Sequence, residues 1–563
     1  MLYGRIGDKN GRRVLQNGRP VTEPHIESVY RAIPGIPAKS FRELVRQALE
    51  HLEECCPETL PAALRMRHSL CDLGYALRQA HFPDSFENLK LARRRLAFEQ
   101  MLLYQAALGV ARGGRGSSFP MEIPENACEA FWLRLPFPPT GAQRRVLEEI
   151  AEDMRRDTAM SRMVQGDVGS GKTALAFGAI CLCHGAGFQA AMMAPTEILA
   201  RQHYESAKTM LEPMGISCCL LTGSTRTKER REVLAALEDG SCGAVFGTHA
   251  LISEGVRYGR LGLVITDEQH RFGVNQRTML QQKGDRQGAM PHVLVMSATP
   301  IPRSLALVLY GDLDISVVDE MPPGRKPVQT RVVPEEKRSD MYAFLRREVE
   351  QGRQAYVVCP LVEESEALED VRSAKETFEE LRKNGLSGLR VGLTWGSQPP
   401  EEKAALLHSF SAGETDVLVS TTVIEVGVNV PNATVMVIED ADRYGLSQLH
   451  QLRGRVGRGE AESWCFLVTS GRETERLQVL RKTNDGFEVA RKDLELRGPG
   501  DLLGTRQSGE ALNGFLLDGD VRLLDEACRC MKELRSDPAL AEERQQVESR
   551  AADWMEGKSV ALN

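Results

Sequence analysis

The sequence predicts an α/β protein: two tandem parallel-sheet domains, preceded by a helical region and followed by charged helices. Three observations carry this. Short β-branched or Ala-rich apolar segments alternate with helical stretches, which is the pattern of a parallel sheet with crossover helices. The alternation comes in two sets, separated by the break Met321-Pro322-Pro323-Gly324. Helical periodicity without strands runs from Ser40 to about Val110 and returns after Gly471.

A chain of 563 residues has room for three to five domains at roughly 100–200 residues each. With 42% hydrophobic and 26% charged residues it has an ordinary globular balance, which excludes a disordered or fibrous chain. No apolar run reaches the ~18–20 residues of a spanning helix; the longest, Ala174 to Cys183, is stopped by His184 and Gly185. The N-terminus lacks the basic and apolar blocks of a secretory signal, so the expectation is a cytoplasmic protein with no membrane partner. The thirteen cysteines occur as neighbours (Cys55-Cys56, Cys218-Cys219), as C-x-C pairs (Cys181/Cys183, Cys528/Cys530) or singly. Without a C-x-x-C pair they read as reduced, mostly buried thiols rather than a zinc or redox site. The net charge of −7 argues only weakly against nucleic acid, because a local basic groove can sit on an acidic whole.

In chain order, residues 1–37 are rich in Gly, Pro and Arg and look like the end of something rather than a domain. Residues 38–115 read as a helical domain in which Ser40 caps a first helix and Phe86 to Ala111 form a long one. The cluster Arg93-Arg94-Arg95 on that helix reads as a solvated face before a nucleic-acid contact. Gly113 to Pro139 reads as a linker. Residues 130–318 hold the first set of strands: Met163–Gln165, Gln189–Ala194, Ala244–Gly247, Leu261–Thr266 and Val293–Ser297. Residues 325–470 hold the second: Gln354–Cys359, Leu389–Leu393, Asp416–Ser420, Thr434–Glu439 and Ser463–Val468. Residues 471–563 form a C-terminal region of charged helices broken at Arg497-Gly498-Pro499-Gly500.

The first α/β domain carries the chemistry. Gly166-Asp167-Val168-Gly169-Ser170-Gly171-Lys172-Thr173 fits G-x-x-x-x-G-K-[ST] at every position, follows a strand and opens an apolar helix, as a P-loop must. Its backbone amides and the helix dipole suit nucleotide phosphates. Lys172 would reach the β- and γ-phosphates of ATP, and Thr173 would ligate magnesium. The strand Leu261–Thr266 ends in Asp267-Glu268-Gln269-His270, which places Asp267 to hold the metal and Glu268 to orient and deprotonate the attacking water. Ser297-Ala298-Thr299, Thr196 and Thr248 close further strands and suit a row of phosphate contacts along one sheet edge, although each alone is also an ordinary helix cap.

Taken together these residues resemble the superfamily 2 helicases and translocases. Phe137, Thr140 and Gln143 resemble the adenine-reading Q motif, and Gly166–Thr173 is motif I. Ala194–Glu197 resembles motif Ia, Asp267–His270 is a DEQH form of the DExH box, and Ser297–Thr299 is motif III. In the second domain Ser420–Val428, with Thr421 and Gly427, resembles motif V, and Gln451–Arg458 is motif VI. The resemblance implies two RecA-like domains with ATP between them, a catalytic set that includes Gln269 and His270, and Arg455 and Arg458 as arginine fingers. A fixed guanidinium fork of that kind stabilises charge on transferring phosphoryl oxygens.

The match narrows further. Asp267 to Val274 with Gln276-Arg277, and Asp485-Gly486-Phe487 leading into Asp493 to Gly509, resemble the RecG family of bacterial branched-DNA translocases. This likeness covers the chain from about residue 30 to 520. It implies that 471–563 holds the translocation motif, with Arg497, Arg506 and Gln507 coupling ATP turnover to movement on duplex DNA. It also implies double-stranded and branched DNA (forks and Holliday junctions) as substrate, single-stranded-DNA-binding protein as a further partner, and a monomer acting in repair and recombination. Charge alone would leave Gly471–Glu510 a salt-bridged hairpin.

The chain departs from the family in two places. Trp395-Gly396-Ser397-Gln398 stands where the family carries His-Gly-Arg-Met. The family also begins with an oligonucleotide-binding-type barrel, the wedge, of which about residues 1–30 would be the remainder, through truncation or a start placed too late. Two alternatives follow: a transcription-repair coupling translocase, which needs a polymerase-binding domain before the motor, or a DNA-binding ATPase uncoupled from strand separation.

Overall fold

The structure is a computed structural model. It describes residues 2–6, 15–16, 19–20, 25–30, 33, 35–113, 117–267, 283, 289–298, 306, 313–360, 378–379, 383, 386–395, 398–421, 430–459, 461–471, 473–497 and 521–556. The chain divides into two compact units. One contains both α/β domains, residues 115–307 and 313–497; the other joins residues 1–114 to 308–312 and 498–563.

The N-terminal unit opens with strands β1 (Leu2–Ile6), β2 (Leu15–Gln16), β3 (Arg19–Pro20) and β4 (His25–Val29). β1 pairs antiparallel with β4, and β2 with β3. Their neighbour is a helical layer around Phe86–Gly113, on which Leu73–His81, Val521–Ser536 and Ala541–Glu556 pack. The region 471–563, expected as one domain, is thus divided: its helices Glu475–Lys482 and Gly486–Arg497 belong with the α/β domains and its last two helices with the N-terminal unit. The cap expected at Ser40 is also corrected, because the first helix is Ala38–Glu50 and Pro37, in an extended conformation, precedes it.

The first α/β domain contains β5 (Ser161–Gly166), β6 (Gln189–Met193), β7 (Cys218–Leu221), β8 (Ala244–Gly247), β9 (Leu261–Thr266), β10 (His292–Ser297) and β11 (Asp314–Val318). They form a parallel sheet in the order β11-β5-β10-β9-β6-β8-β7. The second contains β12 (Gln329–Pro334), β13 (Gln354–Val358), β14 (Val391–Thr394), β15 (Val417–Ser420), β16 (Ala433–Ile438) and β17 (Trp464–Thr469). Its order is β12-β17-β16-β13-β15-β14, again parallel. Every residue of β9, β10 and β16 is buried, as strands covered by helices on both faces must be. In register, Ser297 of β10 lies beside Gln165 of β5 and Val295 beside Thr266 of β9. The segments that leave β5, β9 and β10 therefore emerge side by side at the carboxyl edge, where ligands of open α/β sheets bind.

The stretch 113–139, expected as a linker, is more than that. It contains the helix Ala127–Trp132, whose Cys128, Phe131 and Trp132 are buried in the core of the first α/β domain. All thirteen cysteines are free thiols; six are buried, and Cys55 and Cys56 are exposed. No helix among the described residues is long and apolar enough to cross a membrane.

The arginine cluster is not a solvated face. Arg95 is fully buried, with Nη1 on Glu99 Oε2 and Nη2 on Glu58 Oε1, both at 2.6 Å. Arg94 Nη2 reaches both carboxylate oxygens of Glu526, at 2.9 and 2.8 Å. Burial works to raise the Glu58 carboxyl, but the amides of Leu60 and Leu73 and the Arg95 guanidinium outweigh it and hold it below the usual range. Removing one partner of a buried ion pair strands the others, at about 3–5 kcal/mol. Arg95→Ala should lower the unfolding free energy of the helical unit by about that amount in a urea titration; a change within about 0.5 kcal/mol would show that the carboxylates relax into solvent.

Buried His292, on β10, accepts from the Met160 amide at Nδ1 (3.0 Å), while Nε2 meets Ser118 Oγ at 3.2 Å. Because Ser118 Oγ already donates to Met290 O, His292 Nε2 carries the proton. Burial pushes its pKa down from 6.5 to about 4. The unfolded chain then binds more protons than the folded one between those values. Its contribution is intact above pH 6.5 and is lost as the pH falls toward about 4, by about 3 kcal/mol. A His292→Gln variant should show a flatter loss of stability over this window in urea titrations at several pH values.

Candidate active site

The glycine-rich segment leaves β5 and enters the helix Lys172–Gly185 through Gly169 (φ +79°) and Gly171 (φ +86°). Both occupy the left-handed region that favours glycine, and a Cβ on Gly169 would fall 2.0 Å from Arg325 Nη1. Lys172 Nζ donates to Gly166 O and Asp167 O, each at 2.8 Å. Ser170 is buried and its amide donates to Asp167 O at 3.1 Å. Thr173 lies in the first turn of the helix.

The residues matched to the Q motif brace this loop. Thr140 and Gln143 form a reciprocal capping box at the start of the helix Gly141–Met154. Gln143 Oε1 accepts from the Thr140 amide at 2.9 Å, and Nε2 donates to Ser170 O at 2.8 Å. Phe137 stands nearby in sequence, 39% exposed.

Asp267 follows β9, and its Oδ2 lies 2.8 Å from Nε2 of buried His203, on the helix Glu197–Leu211. Sequence reasoning missed His203, although its place on the helix after motif Ia was a usable signal. Metal-binding carboxylates are commonly fixed by such partners, and Asp267 is held in this way at the end of β9. Glu268, Gln269 and His270 lie outside the described residues, as do Thr299, Gly427, Arg506 and Gln507. Arg497 ends the helix Gly486–Arg497, with its side chain outside them.

Of the strand-end hydroxyls, Thr196 caps its helix by accepting from the Leu199 amide at 3.4 Å, the ordinary alternative for such a residue. Thr248 and Thr421 differ: both are buried, and their Oγ1 atoms have no hydrogen-bond partner among the described residues. Ser297 is buried at the end of β10.

From the second domain, buried Arg455 and partly buried Arg458 share their surroundings with Tyr356. Burial and then the Arg455 charge pull the Arg458 guanidinium down to about 10, with Arg325 adding to the effect and Tyr356 opposing it. The Tyr356 phenol is pushed up to about 12 by burial against the lowering effect of both arginines. Arg325, from the connector between the domains, donates to Val168 O in the P-loop. Val168 also packs on Gly454, where a Cβ would lie 2.8 Å from the Val168 Cβ, so motif VI needs glycine there.

Asp167 was read as a phosphate-loop residue, and its carboxylate is bound to other parts of the protein. Oδ1 lies 2.6 Å from His450 Nε2, and Oδ2 accepts from the Gly486 amide at 3.1 Å. Burial works to raise this carboxyl, but His450, the Val168 amide and Lys172 outweigh it and hold it below the usual range. A cavity of about 530 Å³ adjoins this joint, lined by Asp167, Glu320, Arg325, His450, Asn484 and Phe487 among others.

Comparison with known proteins agrees with this geometry. Residues 140–308 match the DEAD/DEAH box helicase family, 336–460 the helicase conserved C-terminal domain, and 483–530 the C-terminal part of domain 3 of the ATP-dependent DNA helicase RecG. The chain is 47% identical over 501 residues to the ATP-dependent DNA helicase RecG of Bacillus subtilis (strain 168), covering 88% of this chain and 73% of that one. The protein of the same name from Synechocystis is also 47% identical, and the chain spans 60% of it. A structure of RecG bound to a three-way DNA junction is 42% identical with a TM-score of 0.70, over 90% of this chain and 66% of that one. The two parallel sheets are accordingly of the RecA-like kind, and the chain belongs to the RecG family of ATP-dependent DNA helicases.

Proposed function

We propose that this chain hydrolyses ATP in the cleft between its two RecA-like domains and uses the cycle to move on duplex DNA, remodelling stalled forks and Holliday junctions as a monomer in the cytoplasm. One observation carries the reading. The helix Leu446–Arg453 leads directly into Arg455 and Arg458, and through His450 it is bonded at 2.6 Å to the P-loop. Phosphate-binding loop and paired arginines thus belong to one held assembly. The relative bound to a three-way junction supports branched DNA as the substrate.

In this reading the loop amides and the dipole of the helix Lys172–Gly185 hold the phosphates, and Lys172 moves from the loop carbonyls to the β- and γ-oxygens. Thr173 and Asp267 would hold magnesium, which would neutralise charge on the phosphates, and His203 keeps Asp267 in place. Glu268 orients the attacking water. Arg455 and Arg458 stabilise the charge that develops on the transferring group. Thr248, Ser297 and Thr421 lie along strand ends, where they serve phosphate contacts, while Thr196 serves its helix as a cap; Arg497, Arg506 and Gln507 serve coupling.

ATP turnover measured without DNA, with linear duplex and with a three-way junction tests the whole reading; the junction should stimulate most, and equal rates in all three would refute it. Lys172→Ala should abolish hydrolysis. Arg455→Ala or Arg458→Ala should lower turnover by about a thousandfold or more with little change in nucleotide affinity; lost affinity with unchanged saturated turnover would remove the arginines from the transition state. His203→Ala should raise the magnesium concentration needed for tight binding of a fluorescent ADP by about 10–100-fold, and an unshifted magnesium midpoint would leave His203 a packing residue.

A further inference from the structure

The P-loop is joined to the start of the helix Gly486–Arg497 by a closed ring of contacts. Asp167 Oδ1 accepts from the Val168 amide and from His450 Nε2, both at 2.6 Å, and Oδ2 accepts from the Gly486 amide at 3.1 Å. His450 Nδ1 faces Arg453 Nη2 at 2.8 Å. A guanidinium only donates, so Nδ1 accepts and Nε2 carries the proton given to Asp167. Arg453 Nη1 in turn donates to Leu480 O at 2.7 Å and Thr483 O at 2.8 Å, at the end of the helix Glu475–Lys482. The chain then runs from Thr483 to Gly486, the first residue of the helix Gly486–Arg497, and returns to Asp167.

His450, Arg453 and Asp167 are nearly inaccessible to solvent, and charge-assisted bonds in such surroundings are strong. The same Asp167 offers its backbone carbonyl to Lys172. Lys172 is the group that nucleotide phosphates attract. Anything that draws the lysine off Asp167 O therefore acts on the residue whose side chain holds Gly486.

We propose that Asp167 is a positioning residue that passes the nucleotide state of the P-loop directly to the helix Gly486–Arg497, with His450 fixing its carboxylate. Within the proposed function this supplies a route from ATP site to that helix that runs through the P-loop's own side chain, in addition to the arginines of motif VI. The inference rests on nucleotide binding at the P-loop and not on any DNA substrate.

Amide hydrogen exchange of the full chain, with and without a non-hydrolysable ATP analogue and magnesium and with no DNA present, tests it. In the unaltered protein, exchange across Gly486–Val489 should change by about tenfold on nucleotide binding, the scale of one charge-assisted hydrogen bond. In Asp167→Asn, which cannot offer both oxygens as acceptors, and in His450→Asn the change should shrink below about twofold, at nucleotide concentrations shown to saturate each variant with a fluorescent ADP. His450 lies outside the P-loop, so H450N keeps the test decisive where D167N binds nucleotide poorly. No nucleotide-dependent change in the unaltered protein, or a full response in H450N, would overturn the proposal. With no DNA in the tube, a failure of junction remodelling would leave this result untouched.

Discussion

One buried carboxylate, that of Asp167, fixes how the parts of this motor meet. It arises from the P-loop, yet its oxygens bind the second RecA-like domain through His450 and the helix Gly486–Arg497 through the Gly486 amide. A charged group so buried is tolerable only when its acceptor positions are filled. The cluster therefore holds together as a unit, and displacement of the loop is felt in both neighbours.

The parallel sheets make this joint possible. Because β5, β9 and β10 run in the same direction and in register, the P-loop, Asp267 and the motif III strand end share one edge. Around that edge the second domain contributes cations: Arg455 and Arg458 from motif VI, with Arg325 entering from the connector to hold Val168 O. Gly169 is glycine because its φ of +79° lies in the left-handed region, and Gly454 because Val168 fills the space that a side chain would need. Three sequence regions thus meet at the P-loop: the first domain, the connector and motif VI.

Much of this was legible in the sequence because it is local. The P-loop, the central strands and the motif VI arginines are short patterns whose chemistry depends on neighbours a few residues away. The strands β7, β11 and β12, all at sheet edges, escaped notice: polar residues interrupt β11 and β12, and β7 is apolar but only four residues long. Arg95 was misjudged because sequence displays its charge but not Glu58, 37 residues away, that makes its burial tolerable. The contacts of His203 with Asp267 and of His450 with Asp167 span 64 and 283 residues, beyond what any local pattern encodes. The division of 471–563 at Arg497 was hidden for the same reason: two stretches of charged helix look alike until the fold shows which core each one joins.

If Asp167 joins nucleotide site to the helix Gly486–Arg497, chemistry and movement should be separable at that residue. The most direct measurement follows ATP consumed and branch displaced in the same reaction on a forked DNA, for the chain as it stands and for Asp167→Asn. The account predicts that branch movement per ATP falls about tenfold in the variant, a coupling free energy of ordinary size. An unchanged ratio, however much the overall rate drops, would contradict it.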